Sequence, residues 1–405
     1  MISVHSSSSG SCSSPAELSD ESCTLPKTRC ITLLTDFSGL NAPAISLRGL
    51  GVCFEDVAAS DSWSVARTFL LRNHRCSVVY TDVHSRPFAY HDLDLYVAGP
   101  PCQPFSSAGK NLGEADPAGR GILFWESVKF IEFCCPRTFL LENSPRVRSH
   151  KKGEFFRKLL RRLRQAGYKV CFDILNTKDH GLPQFRARLY IVGIRLDVGG
   201  SKSFTFPSRI HSMPLEEILA PRCASDSSSR LPPAFARGAR ARVLEARASL
   251  PARLLHRDWM IDDHASAGWA SKARGVCPCL LFSQSGGRFV GSRGRRMSFE
   301  EAARVQGIVA TTWLWPPKFR DCFRLIGNTM SICILDRIFV RLLPILCPGT
   351  NLQDPWLNDS AQARLRAAAL GFSHERRADS NDVHVVLHEP QQTVLPWATQ
   401  LTTGC

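Results

Sequence analysis

No uninterrupted apolar stretch in the chain is long enough to cross a bilayer, and even the run from Ile332 to Leu346 carries Asp336, Arg337 and Arg341. This argues against a membrane-spanning role. There is also no pair of C-x-x-C units, although the chain holds 16 cysteines. Cys134 and Cys135 are adjacent and Cys277 and Cys279 are two apart, so neither a zinc ribbon nor a finger is readable and no metal site is expected. Mostly free thiols in a reducing compartment are expected instead. The first 29 residues, with Ser6-Ser7-Ser8-Ser9-Gly10-Ser11, contain little that could form a core. They lack the apolar segment of a secretory signal, and Glu17, Asp20 and Glu21 precede any basic cluster, against a transit peptide. A disordered leader over 1–29 is expected.

What the chain does have is positive charge. The formal net charge of +15 comes from 51 Lys and Arg against 36 Asp and Glu. Between Lys151 and Arg164, seven basic residues face one acid, and positions 201–300 hold sixteen against eight. Such a balance suits a polyanion, because neutralised phosphates release counterions; a solvated basic face is the commoner meaning of a charge run.

The chain is organised around Asp94-Leu95-Tyr96-Val97-Ala98-Gly99-Pro100-Pro101-Cys102-Gln103-Pro104-Phe105-Ser106. An apolar run suited to a buried strand meets Gly-Pro-Pro, which continues neither strand nor helix, and the next residue is a thiol. Ligands of open α/β sheets bind at that edge, and a thiol there can act as a nucleophile; a buried, inert cysteine is the alternative. Upstream, Ile31 to Thr35 reads as a strand running into Asp36-Phe37-Ser38-Gly39-Leu40-Asn41 and a helix from Ala44 to Leu50, the opening of a nucleotide-binding unit. The turn lacks a full G-x-G-x-x-G. Asn41 is of the non-glycine residue type that best tolerates a left-handed backbone. Further strands near Val52–Ala58, Ser77–Thr81, Leu93–Ala98 and Thr138–Leu141 lead to Asp61, Asp82, Cys102 and Glu142. Four acids and a thiol on one sheet edge are hard to explain by packing, since unpaired buried charge is costly. Asp61 also suits a helix cap before Val65 to Arg72. In the helix Ile122 to Cys135, Ile122, Trp125, Val128, Ile131 and Phe133 are expected in the core. A strand Tyr168–Leu175 is expected to pair with Leu189–Ile194. Gln184, Arg186 and Arg188 alternate on one face of an extended segment, where two arginines repel unless an acceptor lies before them. Ser298 and Glu301 form a capping box.

Pro101-Cys102-Gln103, Glu142-Asn143-Ser144, Gln184-x-Arg186-x-Arg188 and Gly327-Asn328-Thr329 together resemble the DNA cytosine-5 methyltransferases, over about residues 31–345. Ser144 stands where the family usually has Val or Ile, and Asn41 near an expected glycine. The resemblance implies a doubly wound, Rossmann-like α/β methyltransferase sheet with a smaller, irregular target-recognition domain. The implied domains are 30–206 with 292–347 for catalysis and 207–291 for recognition, leaving 348–405 as a tail of unknown role, in which Gln362–Leu370 could form a short helix.

The resemblance also implies S-adenosyl-L-methionine as cofactor, held by Asp36, Phe37, Ser38, Gly39, Asp61, Asp82, Val83, Pro100, Asn328 and Thr329. Double-stranded DNA is the implied partner, contacted by Gln103, Ser106 and Gln184. Cys102 is the implied nucleophile on cytosine C6 and Glu142 the partner of N3; Arg186 is read as the donor to the base O2, with Arg188 supporting the loop. The base must be flipped out of its duplex. RNA is a possible substrate, although the Cys-Phe-Thr signature of the RNA-acting relatives is not found; a catalytically silent DNA-binding scaffold is the other alternative. A monomer is expected, nuclear if eukaryotic, otherwise cytoplasmic, and not secreted.

Overall fold

The computed structural model describes residues 30–105, 113–117, 119–199, 203–231, 237–252, 255, 258–262, 272–282 and 288–371. The expected leader 1–29, Ser106 and the end of the tail lie outside them.

The first half runs β1 (Ile31–Asp36), α1 (Ala42–Gly49), β2 (Phe54–Ser60), α2 (Ser64–Asn73), β3 (Val79–Tyr80), β4 (Leu95–Ala98), α3 (Leu123–Cys134), β5 (Thr138–Asn143), α4 (Glu154–Gln165), β6 (Tyr168–Asn176), β7 (Gln184–Phe185) and β8 (Ala187–Arg195). Seven of these strands form one sheet in the order β3-β2-β1-β4-β5-β8-β6. The first five are mutually parallel, and β8 returns antiparallel between β5 and β6. The parallel strands therefore end on one edge, at Asp36, Asp61, Asp82, Cys102 and Glu142, as the sequence suggests.

Alternation puts Leu33, Leu95, Val97 and Leu140 into one core layer and Leu34, Tyr96, Ala98, Phe139 and Leu141 into the other. Helix α3 packs its Phe124, Trp125, Val128, Phe130, Ile131 and Cys134 inward. The expectation for Ile122 and Phe133 fails: both are exposed. Ile122 precedes the first helical turn, and Phe133 projects outward to meet the ring of Phe88 at 5.2 Å.

The second half adds α5 (Leu196–Gly199), α6 (Leu215–Ile218), α7 (Arg237–Ala248), β9 (Trp259–Ile261), β10 (Lys272–Arg274), β11 (Cys277–Pro278), β12 (Phe289–Val290), β13 (Arg295–Arg296), α8 (Phe299–Val305), α9 (Phe319–Asn328), α10 (Ile332–Leu346) and α11 (Ser360–Leu370). A small sheet of order β10-β9-β12-β13 has its own core, with Val243 and Ala246 of α7 against Trp259, Ile261 and Phe289. The segment between 207 and 291 thus contains regular structure that its fading periodicity did not reveal, and its sheet continues to Arg296. The expected capping box of α8 forms, Ser298 Oγ accepting from Glu301 N and Glu301 Oε2 from Ser298 N.

Part of the expected tail belongs to the main body. Ala361 and Leu365 of α11 enter the large core, and the buried Trp356 donates to Asp336 of α10 at 2.9 Å. Its ring lies where a Cβ on Gly181 would collide. Cys30 and Cys53 form a disulfide between the starts of β1 and β2, and the eleven other described cysteines are free. Among the described residues no helix is long and apolar enough to cross a membrane.

Candidate active site

The turn after β1 is built on left-handed backbone. Phe37, Gly39 and Asn41 have φ of 55°, 54° and 53°. Asn41 holds this conformation because its side chain is used at both ends: Oδ1 accepts from Ala44 N, capping α1, and Nδ2 donates to Asp56 at 2.7 Å. Asp56 is buried, and that burial pushes its pKa up to about 6 against the hydrogen bonds from Cys76 and Asn41.

Asp61 combines the two roles open to it. Its Oδ2 accepts from Gly39 N at 2.8 Å and its Oδ1 from Trp63 N at 2.9 Å, ahead of α2. Burial raises its pKa despite these two bonds. Asp36 is the internal anchor of the turn, accepting two bonds from Arg86, one from the Tyr96 hydroxyl and one from Ser60.

A cleft opens at the ends of β1 and β4, lined by Thr35, Asp36, Phe37, Ser38, Gly39, Ala42, Pro43, Val97, Gly99, Glu142, Asn328, Thr329 and Met330. Its floor is close-fitted at Gly99, where a Cβ would stand 3.1 Å from Met330 and 3.7 Å from Glu142 Oε2. Asp36, Phe37, Ser38, Gly39, Asn328 and Thr329 thus come together, with Asp61 behind Gly39. Asp82 is exposed and caps the turn at Val83, which is buried; neither lines the cleft, and nor does Pro100. The cleft combines an aromatic residue, Phe37, with a close-fitted glycine, Gly99, and has acids held behind its turn by internal hydrogen bonds. Among the described residues no group of three or more His, Cys, Asp or Glu could hold a metal.

Cys102 follows the rigid Gly-Pro-Pro, and its carbonyl accepts from Phe105 N in the short turn that contains Gln103. Asn143, next to Glu142, donates to Pro100 O at 3.0 Å, so the thiol loop and the acid are tied together. Glu142 is buried at the end of β5, its Oε1 3.0 Å from Arg188 Nε. Burial pushes the Cys102 thiol up; Arg188, followed by Arg186, opposes this, while Glu142 and Cys279 add to it.

Residues Gln184, Arg186 and Arg188 do share one inward face, with Phe185 outward between them. Acceptors do lie before the arginines, and they differ between the two. Arg186 donates to carbonyls of separate segments, Leu280 O at 2.9 Å, Gly327 O at 3.1 Å and Thr329 O at 2.8 Å. It staples the loop. Arg188 faces Glu142 and the thiol. Gln184 is wholly buried, donating to Val305 O and accepting from Leu280 N, so it clamps α8 to the recognition segment and offers no free edge to a substrate.

Sequence reasoning missed Arg86, Met330 and Cys279. The last receives Arg186 and Arg188 on its sulfur, each at 3.6 Å. No local pattern marks these residues, since each matters through a partner far along the chain. The spacing of Cys277 and Cys279 spoke only against zinc.

The model of the C-5 cytosine-specific DNA methylase family matches residues 31–343. A 129-residue stretch is 46% identical to the type II methyltransferase M.NgoBI of Neisseria gonorrhoeae, covering 32% of this chain and 39% of that one. A 119-residue stretch is 46% identical to the type II methyltransferase M.HaeII of Haemophilus aegyptius, covering 29% and 36%. The matched stretches thus span about two fifths of those relatives' length. Among solved structures, a putative DNA modification methyltransferase encoded within an E. coli prophage superposes with a TM-score of 0.54 at 18% identity, over 78% of this chain and 99% of that one. The S. pombe Dnmt2 methyltransferase gives 0.54 at 17%, over 78% and 98%. Identities this low establish likeness of fold alone.

Proposed function

Because the chain belongs to the C-5 cytosine-specific DNA methylase family, we propose that it transfers a methyl group from S-adenosyl-L-methionine to C5 of a flipped-out cytosine in duplex DNA through a covalent adduct between Cys102 and C6. The observation that carries this reading is the convergence of Cys102, Glu142 and Arg188 beside the cleft.

Cytosine C5 is a poor nucleophile. In the proposed reaction the Cys102 thiolate forms a bond to C6, and the displaced electron pair moves into the ring toward N3. Glu142, protonated, donates to N3. Arg188 donates to O2 and steadies the charge developing on the ring. Arg186 keeps the end of α9 and the recognition segment in register, so its contribution is to geometry. The cleft beside Gly99 would hold the cofactor, whose sulfonium supplies the methyl group. After C5 takes the methyl, its proton leaves to a base, the Cys102–C6 bond breaks and aromaticity returns. The duplex is contacted from the edge that bears Cys102, with the small sheet reading the flanking bases.

The test is transfer of labelled methyl to duplex DNA and, in parallel, to total transfer RNA, by wild type and Cys102→Ser. Label in DNA that disappears in the variant is expected. Label in RNA alone moves the substrate to RNA; no label in either, with DNA still bound, makes the chain a scaffold and overturns the proposal.

A further inference from the structure

Cys279 stands in the active site without a role in the reaction above. It comes from the recognition half, one residue past β11, which pairs in parallel with β7 next to the arginine-bearing strand. Arg186 Nη1 and Arg188 Nη2 both point at its sulfur, 3.6 Å away. Guanidinium N–H groups can only donate, so the sulfur is the acceptor of both, a setting that favours the thiolate, while Leu280 O, 3.5 Å from the same sulfur, is the acceptor open to the neutral thiol.

The charged and titratable groups facing it are Arg186 between β7 and β8, Arg188 on β8, Arg288 just before β12, Cys102 after β4, and Cys277 on its own segment. Glu142 reaches it only through Arg188. Burial works against ionisation of Cys279, but Arg188 and Arg186, with Arg288 behind them, outweigh it and draw this thiol below its ordinary value. The two thiols thus move in opposite directions, Cys102 up and Cys279 down, around one pair of cations. Two anions so close cannot both be stabilised by the same guanidiniums, so ionisation of one opposes ionisation of the other.

We propose that Cys279 is a positioning residue for methyl transfer: seated as an anion between Arg186 and Arg188, it divides the arginine charge with Cys102, so the docked recognition segment governs how readily the nucleophile ionises. The inference rests on the reading of Cys102 as nucleophile. A recognition segment that shifts when DNA binds would release Arg188 to the nucleophile. No new bond is needed, only a change in which sulfur the guanidinium faces.

The experiment is peptide-resolved alkylation of Cys102 by iodoacetamide in the full chain across about pH 7 to 11, without DNA or cofactor. Serine at 279 keeps an acceptor for the arginines but carries no charge. In Cys279→Ser the midpoint of Cys102 labelling is expected about one pH unit lower than in wild type, giving labelling about tenfold faster below the midpoint. In Cys279→Asp, a fixed anion, the midpoint stays at or above the wild-type value. An unchanged midpoint in folded Cys279→Ser overturns the proposal. If that variant fails to fold, thiolate absorbance of Cys102→Ser decides: a thiol ionising below the ordinary range supports the proposal, and its absence overturns it. Methyl transfer by wild type is assayed separately. A shifted midpoint without any transfer to DNA would refute the functional reading and leave the coupling standing; transfer with an unmoved midpoint would refute the coupling alone.

Discussion

In the large sheet, the central strands β4 and β5 bury Leu95, Tyr96, Val97, Phe139, Leu140 and Leu141 almost completely, and the charges collect at one edge. In the small sheet, the strands have two or three residues each, the apolar core is small and buried ion pairs surround it. Arg293 and Arg222 both pair with the buried Asp258, at 2.9 and 3.0 Å, and Arg288 pairs with Asp262. Arg295 bridges Asp226 and Glu301 at 3.1 and 2.8 Å. Part of the positive charge that looked available to a polyanion is therefore used internally. The exposed arginines of α4, Arg157, Arg161 and Arg164, remain on the surface. One half is stabilised by apolar burial, which needs only size and pattern; the other depends on specific partners, so it is more sensitive to loss of a single charge.

The strongest way to break this comparison is a pair of variants. Asp258→Ala leaves Arg293 buried without its anion and is expected to cost about 3–5 kcal/mol, loosening the small sheet while binding of the proposed cofactor S-adenosylmethionine, read by calorimetry, stays near wild type. Leu140→Ala in β5 is expected to cost about 2–5 kcal/mol and to weaken cofactor binding along with the melting temperature. Equal loss of cofactor binding in both variants would show that the halves are not separable.

A pH series sharpens the comparison inside the catalytic half, where Asp56 is one of the buried acids. Its pKa is about 6 folded against an ordinary 3.8, burial being the main cause, so the folded state holds its proton more tightly. Stability is favoured below pH 4 and falls as pH rises from about 4 to 6, by an amount on the order of 3 kcal/mol. Asp56→Asn keeps an acceptor and should flatten that slope in chemical denaturation at pH 4.5 and 7.5; an unaltered slope would exclude Asp56 as its source. The smallest effect is expected for Asn41→Ala, which loses the α1 cap at a cost of about 1–2 kcal/mol. Because the turn then holds a left-handed backbone without its anchor, cofactor affinity should fall more than the melting temperature, and a Gly at 41 should restore more of it than Ala.

The parallel sheet was legible because its strands are short apolar runs and its ligand edge follows from chain direction. The tolerance of Asn41 for left-handed backbone, the capping box at Ser298 and Glu301 and the inward face of Gln184, Arg186 and Arg188 are likewise local properties. The small sheet was not legible, since two-residue strands carry no periodicity and their partners are set by distant charges.

Residue types and spacing by themselves placed a thiol and four acids on one edge of a doubly wound sheet and two arginines on one face of an extended segment; only the resemblance to the methyltransferases joined the two. Tertiary structure alone decided what each arginine meets: Arg186 donates to three carbonyls from two remote segments, while Arg188 faces Glu142 and two thiols. The physical reason is that a guanidinium's role depends on which acceptors surround it, and those of Arg186 lie about 90 to 140 positions away in sequence, beyond any local pattern.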